Sequence, residues 1–449
     1  MATSTRAFLI ELYEEYLEEA SFLYEQRLSL LKNPEIRWRK IGEFEERFEA
    51  HIDGLVVGED LALKVCSKHA EEGDFGELHA AMRVFCRQNR KDLLCAALDA
   101  VDLNDKAKRQ AIEDALKSEL PDGWFADLWL LGHTNPPLAA LLLRTAAYRG
   151  IDIRELGKTL REVPSEFLPD AIWACGRLRQ SDICNELRTN LENQDPLVQS
   201  EAATSLLRLG DDLTLDYCLR RIAACNWTSI LLGLAGPRSA VRGLMEEAAS
   251  HSPNHNQLLA LGLLGDIRSV PLLFKSLENS EVAEAAAASL HLITGAYHSE
   301  TTFIPDAIEE DELFDEERNN LKKGQLPKRP DGKPFGRSIK RLSQKPEDWQ
   351  LWWSERSGSF DPQIRYRNGQ PYSPQCLIDA LESDVSPHLV RALAYDELVA
   401  RYGMDVRFET DMFIAEQQPA LARIRIWAQQ NGSRFREGCF YFGGRFLSG

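Results

Sequence analysis

Residues 44–58 read Phe-Glu-Glu-Arg-Phe-Glu-Ala-His-Ile-Asp-Gly-Leu-Val-Val-Gly, with one histidine and four carboxylates inside ten residues. Such a cluster could hold a metal ion or move a proton. On a helix, Glu45, Glu49 and Asp53 recur every fourth residue and share a face. His51 is offset from them by two residues and faces elsewhere, within helical reach of Arg47. A helical His–carboxylate metal site needs a spacing of three or four. Phe44, Phe48, Ile52 and Leu55 form an apolar stripe, and Gly54 is placed to stop the helix. The stretch therefore reads first as a packed, terminated helix. Its three carboxylates remain the metal set of an alternative reading, a metal-dependent enzyme with its site in a helical groove.

Other chemical signatures are weaker. His251 and His255 have helical spacing, but Pro253 stands between them and breaks a regular helix. His291 and His298 flank a repeat turn. The nine cysteines are scattered without a CxxC pair, which suits reduced core thiols of a cytoplasmic protein. The chain has no GxSxG, no GxxxxGK[ST] and no strand–glycine–helix dinucleotide unit,. No catalytic residue, metal ligand or cofactor is assigned.

Aromatic and arginine side chains give the candidate for partner contact. Trp349, Trp352 and Trp353 fall at i, i+3 and i+4, one face of a helix. Arg365, Tyr366, Arg367 and Tyr372 follow in Arg-Tyr-Arg-Asn-Gly-Gln-Pro-Tyr. These residue types are enriched at interface hot spots. Three tryptophans at helical spacing also suit a core, so the Arg-Tyr loop is expected to be the more exposed part.

The elements that carry these residues are helical. From about residue 75 to 298, small-and-leucine helices alternate with polar turns at Gly150, Arg179, Gly210, Gly236, Gly265 and Gly295, spaced 26 to 31 residues apart. That period suits two short helices per unit, which must stack on neighbours to bury an apolar face. Glycine at the turn supplies a left-handed helix cap. Residues 6–31 predict an amphipathic helix with Phe8, Leu12, Tyr16, Ala20, Leu23 and Leu30 on its stripe, and a second helix spans 37–53. The expected fold is all-α: a helical-hairpin cap over 1–60, repeats over 61–298, a linker or long loop over 299–348, and a C-terminal helical unit over 349–449. Within that unit, helices follow Ser373-Pro374 and Ser386-Pro387, a last helix covers Pro-Ala-Leu-Ala-Arg-Ile-Arg-Ile-Trp, and the aromatic tail is extended or hairpin-like.

The linker expectation rests on charge blocks. Residues 306–317 hold eight acidic and no basic side chains, and 322–345 hold nine basic, one acidic and three prolines,. The net charge of −17 opposes nucleic-acid binding and favours basic protein partners. No apolar run reaches the length of a membrane span, and the N-terminus turns acidic instead of reading as a secretory signal.

The stretch Asn-Gln-Asp-Pro-Leu-Val-Gln-Ser-Glu-Ala-Ala-Thr-Ser-Leu-Leu-Arg-Leu-Gly-Asp-Asp (193–212) resembles short HEAT-like repeats, the class also found in phycobilin lyases. That resemblance implies an α-solenoid. Deoxyhypusine hydroxylase carries di-iron on such repeats through His-Glu pairs, but the matching place here is Gln199-Ser200-Glu201 and no His-Glu dipeptide occurs. Three segments, 18–27, 44–60 with Ala-His-x-Asp-Gly-Leu, and 349–371 with Trp-x-x-Trp-Trp and Arg-Tyr-Arg, are together similar to a bacterial HEAT-repeat family often encoded beside type VI secretion genes. The match spans about residues 18–400. It implies a cytoplasmic adaptor or chaperone for a secreted effector or spike-tip protein, without catalytic residues.

Overall fold

The computed structural model describes residues 4–33, 35–153, 160, 163–305, 318, 328, 332–333 and 335–447. Its helices are α1 (Thr5–Lys32), α2 (Ile41–Val57), α3 (Glu59–Glu72), α4 (Phe75–Arg87), α5 (Lys91–Ala100), α6 (Lys106–Glu119), α7 (Trp124–Gly132), α8 (Pro136–Arg149), α9 (Leu168–Arg177), α10 (Cys184–Thr189), α11 (Pro196–Arg208), α12 (Asp212–Arg220), α13 (Asn226–Ala235), α14 (Arg238–Ser250), α15 (His255–Leu264), α16 (Val270–Ser276), α17 (Ala283–Thr294), α18 (Pro346–Arg356), α19 (Pro374–Glu382), α20 (His388–Tyr402) and α21 (Ile414–Asn431). Among the described residues, six short strands form three antiparallel pairs: β1 (Ser299–Pro305) with β2 (Gly336–Leu342), β3 (Tyr366–Arg367) with β4 (Gln370–Pro371), and β5 (Tyr441–Phe442) with β6 (Arg445–Phe446). The protein is mostly helical, as its sequence predicts. Among the described residues, no helix is long and apolar enough to cross a membrane.

The chain divides into two compact units. One joins Met1–Gly243 to Tyr372–Gly449, and the other is Leu244–Pro371. This division falls at other places than the expected boundaries at 298 and 348. The physical reason lies in main-chain hydrogen bonds: the β3–β4 hairpin bonds to the ends of α15 and α17, whereas the β5–β6 hairpin bonds to the end of α20. Within the stretch read as linker or long loop, β1 and β2 pair in register from Ser299↔Leu342 to Pro305↔Gly336. The acidic block 306–317, and 322–327 of the basic block, lie outside the described residues.

In the first unit, α4, α6, α8, α9, α11 and α13 pack each on the next. Local sequence starts these helices: Asp74 and Glu77 form a capping box on α4, and Asn135 and Asp195 cap α8 and α11 just before a proline at the first helical position,. Small residues set the helix spacing. Ser205 Oγ donates to the Ile172 carbonyl at 2.8 Å, across a contact where a side chain on Gly176 would overlap Ser205. The second unit repeats the device between α15 and α17: Ser289 Oγ donates to the Leu258 carbonyl at 2.8 Å, opposite Gly262.

Five of the six expected turn positions are left-handed, including the non-glycine Arg179 at φ 54°. Gly236 is the exception at φ −65°, ψ 156°. Pro237 follows it, and a residue before proline is pushed into the extended region. Asn89, at φ 57° after α4, adds an earlier left-handed turn of the same kind.

The cap helices depart from expectation in two details. On α1 the buried stripe is Leu17, Ala20, Ser21, Leu23, Tyr24 and Arg27, while Phe8 is 57% exposed. Arg27, which is not on the predicted stripe, lies inside. Gly54 does not stop α2, which continues to Val57 before Gly58. Gly54 instead lets Tyr16 approach, since a Cβ there would sit 2.6 Å from the tyrosine ring. Gly54→Ala should therefore destabilise the protein by about 1–3 kcal/mol through overpacking, against a helix-propensity gain of about 1 kcal/mol. Thermal melting checks this, and an unchanged or raised Tm would show that Tyr16 swings aside freely.

Candidate functional site

The residues expected to meet a partner are mostly interior. In the second unit, Arg365 and Arg367 are fully buried, as are Tyr366 and Trp349 to within a few per cent. The Arg-Tyr loop is thus not the exposed part, which corrects the sequence expectation. The reason is backbone saturation: Tyr366 N–H donates to Gly265 O (2.8 Å), Asn368 N–H to Leu292 O (2.7 Å) and Gly369 N–H to Ile293 O (3.0 Å). Arg365 Nη2 donates to Leu263 O at 2.6 Å. These groups complete helix ends that would otherwise leave carbonyls unsatisfied. Trp349 donates from Nε1 to Ser343 O at 2.8 Å. Trp352 and Trp353 are half-buried around Phe360, with ring centroids 6.3 and 5.2 Å from it. In the first unit, Tyr372 is fully buried and its hydroxyl donates to Glu397 Oε1 at 2.5 Å. Of the seven residues, only Trp352 and Trp353 keep appreciable surface.

The opening carboxylates are engaged by arginines. Glu45 Oε1 lies 2.7 Å from Arg27 Nε, Glu49 Oε1 lies 2.8 Å from Arg83 Nη2, and Asp53 Oδ1 lies 2.7 Å from Arg87 Nη1. A cation placed on this face would have to displace guanidinium groups. His51 sits edge-on to Tyr16 with centroids 5.5 Å apart, away from the carboxylates. Among the described residues, no group of three histidine, cysteine or carboxylate side chains is placed to hold a metal ion. Burial pushes the thiols of Cys66, Cys86, Cys175 and Cys218 up to about 12, so they are not thiolate nucleophiles at neutral pH.

A feature with no signal in the sequence is a strap. Residues 403–413, between α20 and α21, follow the ends of the stacked helices of the first unit. Arg179 donates to the Met404 carbonyl. Arg407 lies where a side chain on Gly150 would sit. Arg177 holds Glu409 through Nε–Oε1 at 2.6 Å and Nη2–Oε2 at 3.4 Å. Arg27 Nη2 donates to Asp411 O at 2.5 Å, and Arg27 and Arg83 stack over Phe413 at 4.5 and 4.8 Å. Glu45 closes the run by accepting from Ile414 N–H at 2.6 Å. The strap runs against the order of the helices, from the turn after α9 toward α2 and α4. Arginines are common in the last turns of these helices, but no sequence signal linked them to acidic residues more than 200 positions away.

Beside the strap lies a cavity of about 430 Å³, lined among others by Arg27, Asp114, Lys117, Tyr148, His388 and Asp411. Its charges answer one another. Lys117 Nζ is 2.7 Å from Glu113 and 3.4 Å from Asp114, and Tyr24 donates to Asp114 at 2.9 Å. Burial raises the Asp114 carboxyl above its ordinary value, with Lys117 opposing. Burial opposes the Lys117 charge, yet Glu113 and Asp114 hold the ammonium above its usual value. An internal cation already occupies the space between the carboxylates.

Comparison with known proteins gives no match: no family model, no curated protein and no solved structure.

His79 adds a pH-sensitive element. It is fully buried and stacks on Tyr24 with centroids 3.8 Å apart. Among the described residues, neither ring nitrogen finds a hydrogen-bond partner. Burial, then Arg83 and Arg27, hold its pKa well below the ordinary value. The unfolded chain protonates near pH 6.5 while the folded ring stays neutral. The stability this group contributes is therefore complete above that pH and is lost as pH falls below it, by about 1.4 kcal/mol per unit. Urea unfolding between pH 7.5 and 5.5 should show His79→Leu losing that much of the slope relative to wild type. Equal slopes would mean the folded ring takes up a proton.

Proposed function

We propose that the protein is a non-enzymatic binding scaffold, a HEAT-like α-solenoid acting as a cytoplasmic adaptor or chaperone for a type VI secretion effector or spike-tip protein. The strap is the observation that supports this reading. Arginines at the stacked helix ends of the first unit hold an irregular segment by its carbonyls, a carboxylate and an aromatic side chain, groups that a client segment also offers. Such contacts need no catalytic group. Net charge of −17 adds attraction to a basic or aggregation-prone client at distances beyond contact. The resemblance to the secretion-associated HEAT-repeat family supplies the class of client.

Co-expression with the product of each neighbouring gene in turn, followed by affinity purification, tests the proposal. A stoichiometric complex with an effector or tip protein is the expected result. Retention of none of them would sink it. Elemental analysis of the same preparation addresses the alternative of a metal-dependent enzyme, which requires a stoichiometric metal.

A further inference from the structure

The aromatic C-terminal tail has a counterpart inside the chain. With an offset of 75 residues, Trp352, Phe360, Tyr366 and Gly369 correspond to Trp427, Phe435, Tyr441 and Gly444. The geometry follows the same offset. Each copy has a helix, a 3-10 turn (Ser357–Ser359 or Gly432–Arg434) and a two-strand hairpin. The tryptophan and phenylalanine centroids are 6.3 Å apart in both copies. The tyrosine hydroxyl accepts from Asp361 N–H at 2.6 Å in one and from Arg436 N–H at 2.8 Å in the other. Both turn residues are left-handed, at φ 51° and 76° for Asn368 and Gly369, and 54° and 78° for Gly443 and Gly444.

What the hairpins touch is also equivalent. Asn368 and Gly369 donate to Leu292 and Ile293 carbonyls at 2.7 and 3.0 Å, and Gly443 and Gly444 to Ala400 and Arg401 carbonyls at 2.8 and 2.9 Å. Those carbonyls lie in the last turns of α17 and α20, and each helix is followed by a left-handed glycine, Gly295 at φ 70° or Gly403 at φ 69°. The preceding helices match as well, Leu273, Leu277 and Glu278 of α16 and its exit standing as Leu377, Leu381 and Glu382 of α19 and its end. The copies differ in the insert after the glycine: 296–345 in the first, and residues 404–413 of the strap in the second.

We propose that 270–371 and 374–446 are two copies of one module, and that the last turn of a repeat helix with its left-handed glycine is a recognition surface for a Tyr-x-(Asn/Gly)-Gly hairpin. Each unit contains one such pair. Two adjacent left-handed residues make the two-residue hairpin turn, and that same turn aims consecutive N–H groups at consecutive helix carbonyls. The tyrosine sets the approach by fixing the chain before the hairpin. A long insert can therefore be accommodated between helix and hairpin without changing the docking contact. The kind of partner this surface fits is a hairpin of the same sequence pattern, supplied in cis here.

Two measurements on the full-length chain test the proposal. Tyr366→Phe and Tyr441→Phe each delete one acceptor, and amide hydrogen exchange should accelerate about fivefold to tenfold at Asp361, Asn368 and Gly369 in the first variant, and at Arg436, Gly443 and Gly444 in the second. Each change should stay within its own copy. If one copy responds and the other does not, or if the turn amides of either copy exchange as freely as an open loop, the equivalence fails. Gly444→Val, whose own turn cannot seat, should bind a labelled peptide of residues 432–447 that wild type leaves free. A folded Gly444→Val protein that ignores the peptide would overturn the recognition surface, and if that variant does not fold, the exchange data alone decide.

Discussion

Glu45→Ala lowers the stability of the first unit by about 3–5 kcal/mol, the usual result of removing one partner of a buried ion pair. Glu45 and Arg27 are 4% and 6% exposed, and their 2.7 Å contact is sealed by α2 and the strap. Without the carboxylate, the guanidinium keeps its bond to Asp411 O, its stack on Phe413 and the more distant charges of Asp411 and Asp114, and the Ile414 amide loses its acceptor. Replacing both residues at once, Arg27→Met with Glu45→Leu, should recover most of the loss because no charge is then stranded. Urea denaturation of the three proteins checks both statements. A loss under 1 kcal/mol for Glu45→Ala would mean that water reaches Arg27.

Trp349→Ala should cost about 3–5 kcal/mol in the second unit, as for other large-to-small core substitutions. The ring is 1% exposed, belongs to the core cluster that holds Leu258, Leu273, Leu290 and Phe360, and has His298 edge-on at 5.0 Å; losing its N–H removes the donor to Ser343 O. Leu351→Ala, on the same helix but 66% exposed, should change stability by no more than about 0.5 kcal/mol. Measuring both separates a core tryptophan from a partner-contact one. A Trp349→Ala protein of unchanged stability would return that residue to the candidate interface.

Elements set by short-range physics were legible in the sequence. The helix starts at Asp195-Pro196 and Ser373-Pro374 follow from capping chemistry that needs only three or four residues. Left-handed turns were legible wherever glycine stood, and the one departure, Gly236, follows from the proline beside it. Gly54 was misread because a glycine near the end of an apolar stripe looks the same whether it stops a helix or admits Tyr16. Arg365 and Arg367 were misplaced for a related reason. Charge and loop context argue for solvent, and the carbonyls that bury them belong to other elements.

The sequence by itself determined an all-α protein of stacked short helices, because hydrophobic period, capping residues and turn glycines act within a few residues of one another. The alternation in residues 44–58 likewise settled that His51 and the three carboxylates lie on different faces. Only the tertiary structure decided what those carboxylates do. Arg27 meets Glu45 across 18 residues, Arg177 meets Glu409 across 232, and the hairpin at Gly444 meets a helix end at Arg401. Such pairings depend on which helix end the chain returns to; a local pattern such as Tyr-x-(Asn/Gly)-Gly marks a hairpin that docks, but not which helix end it meets.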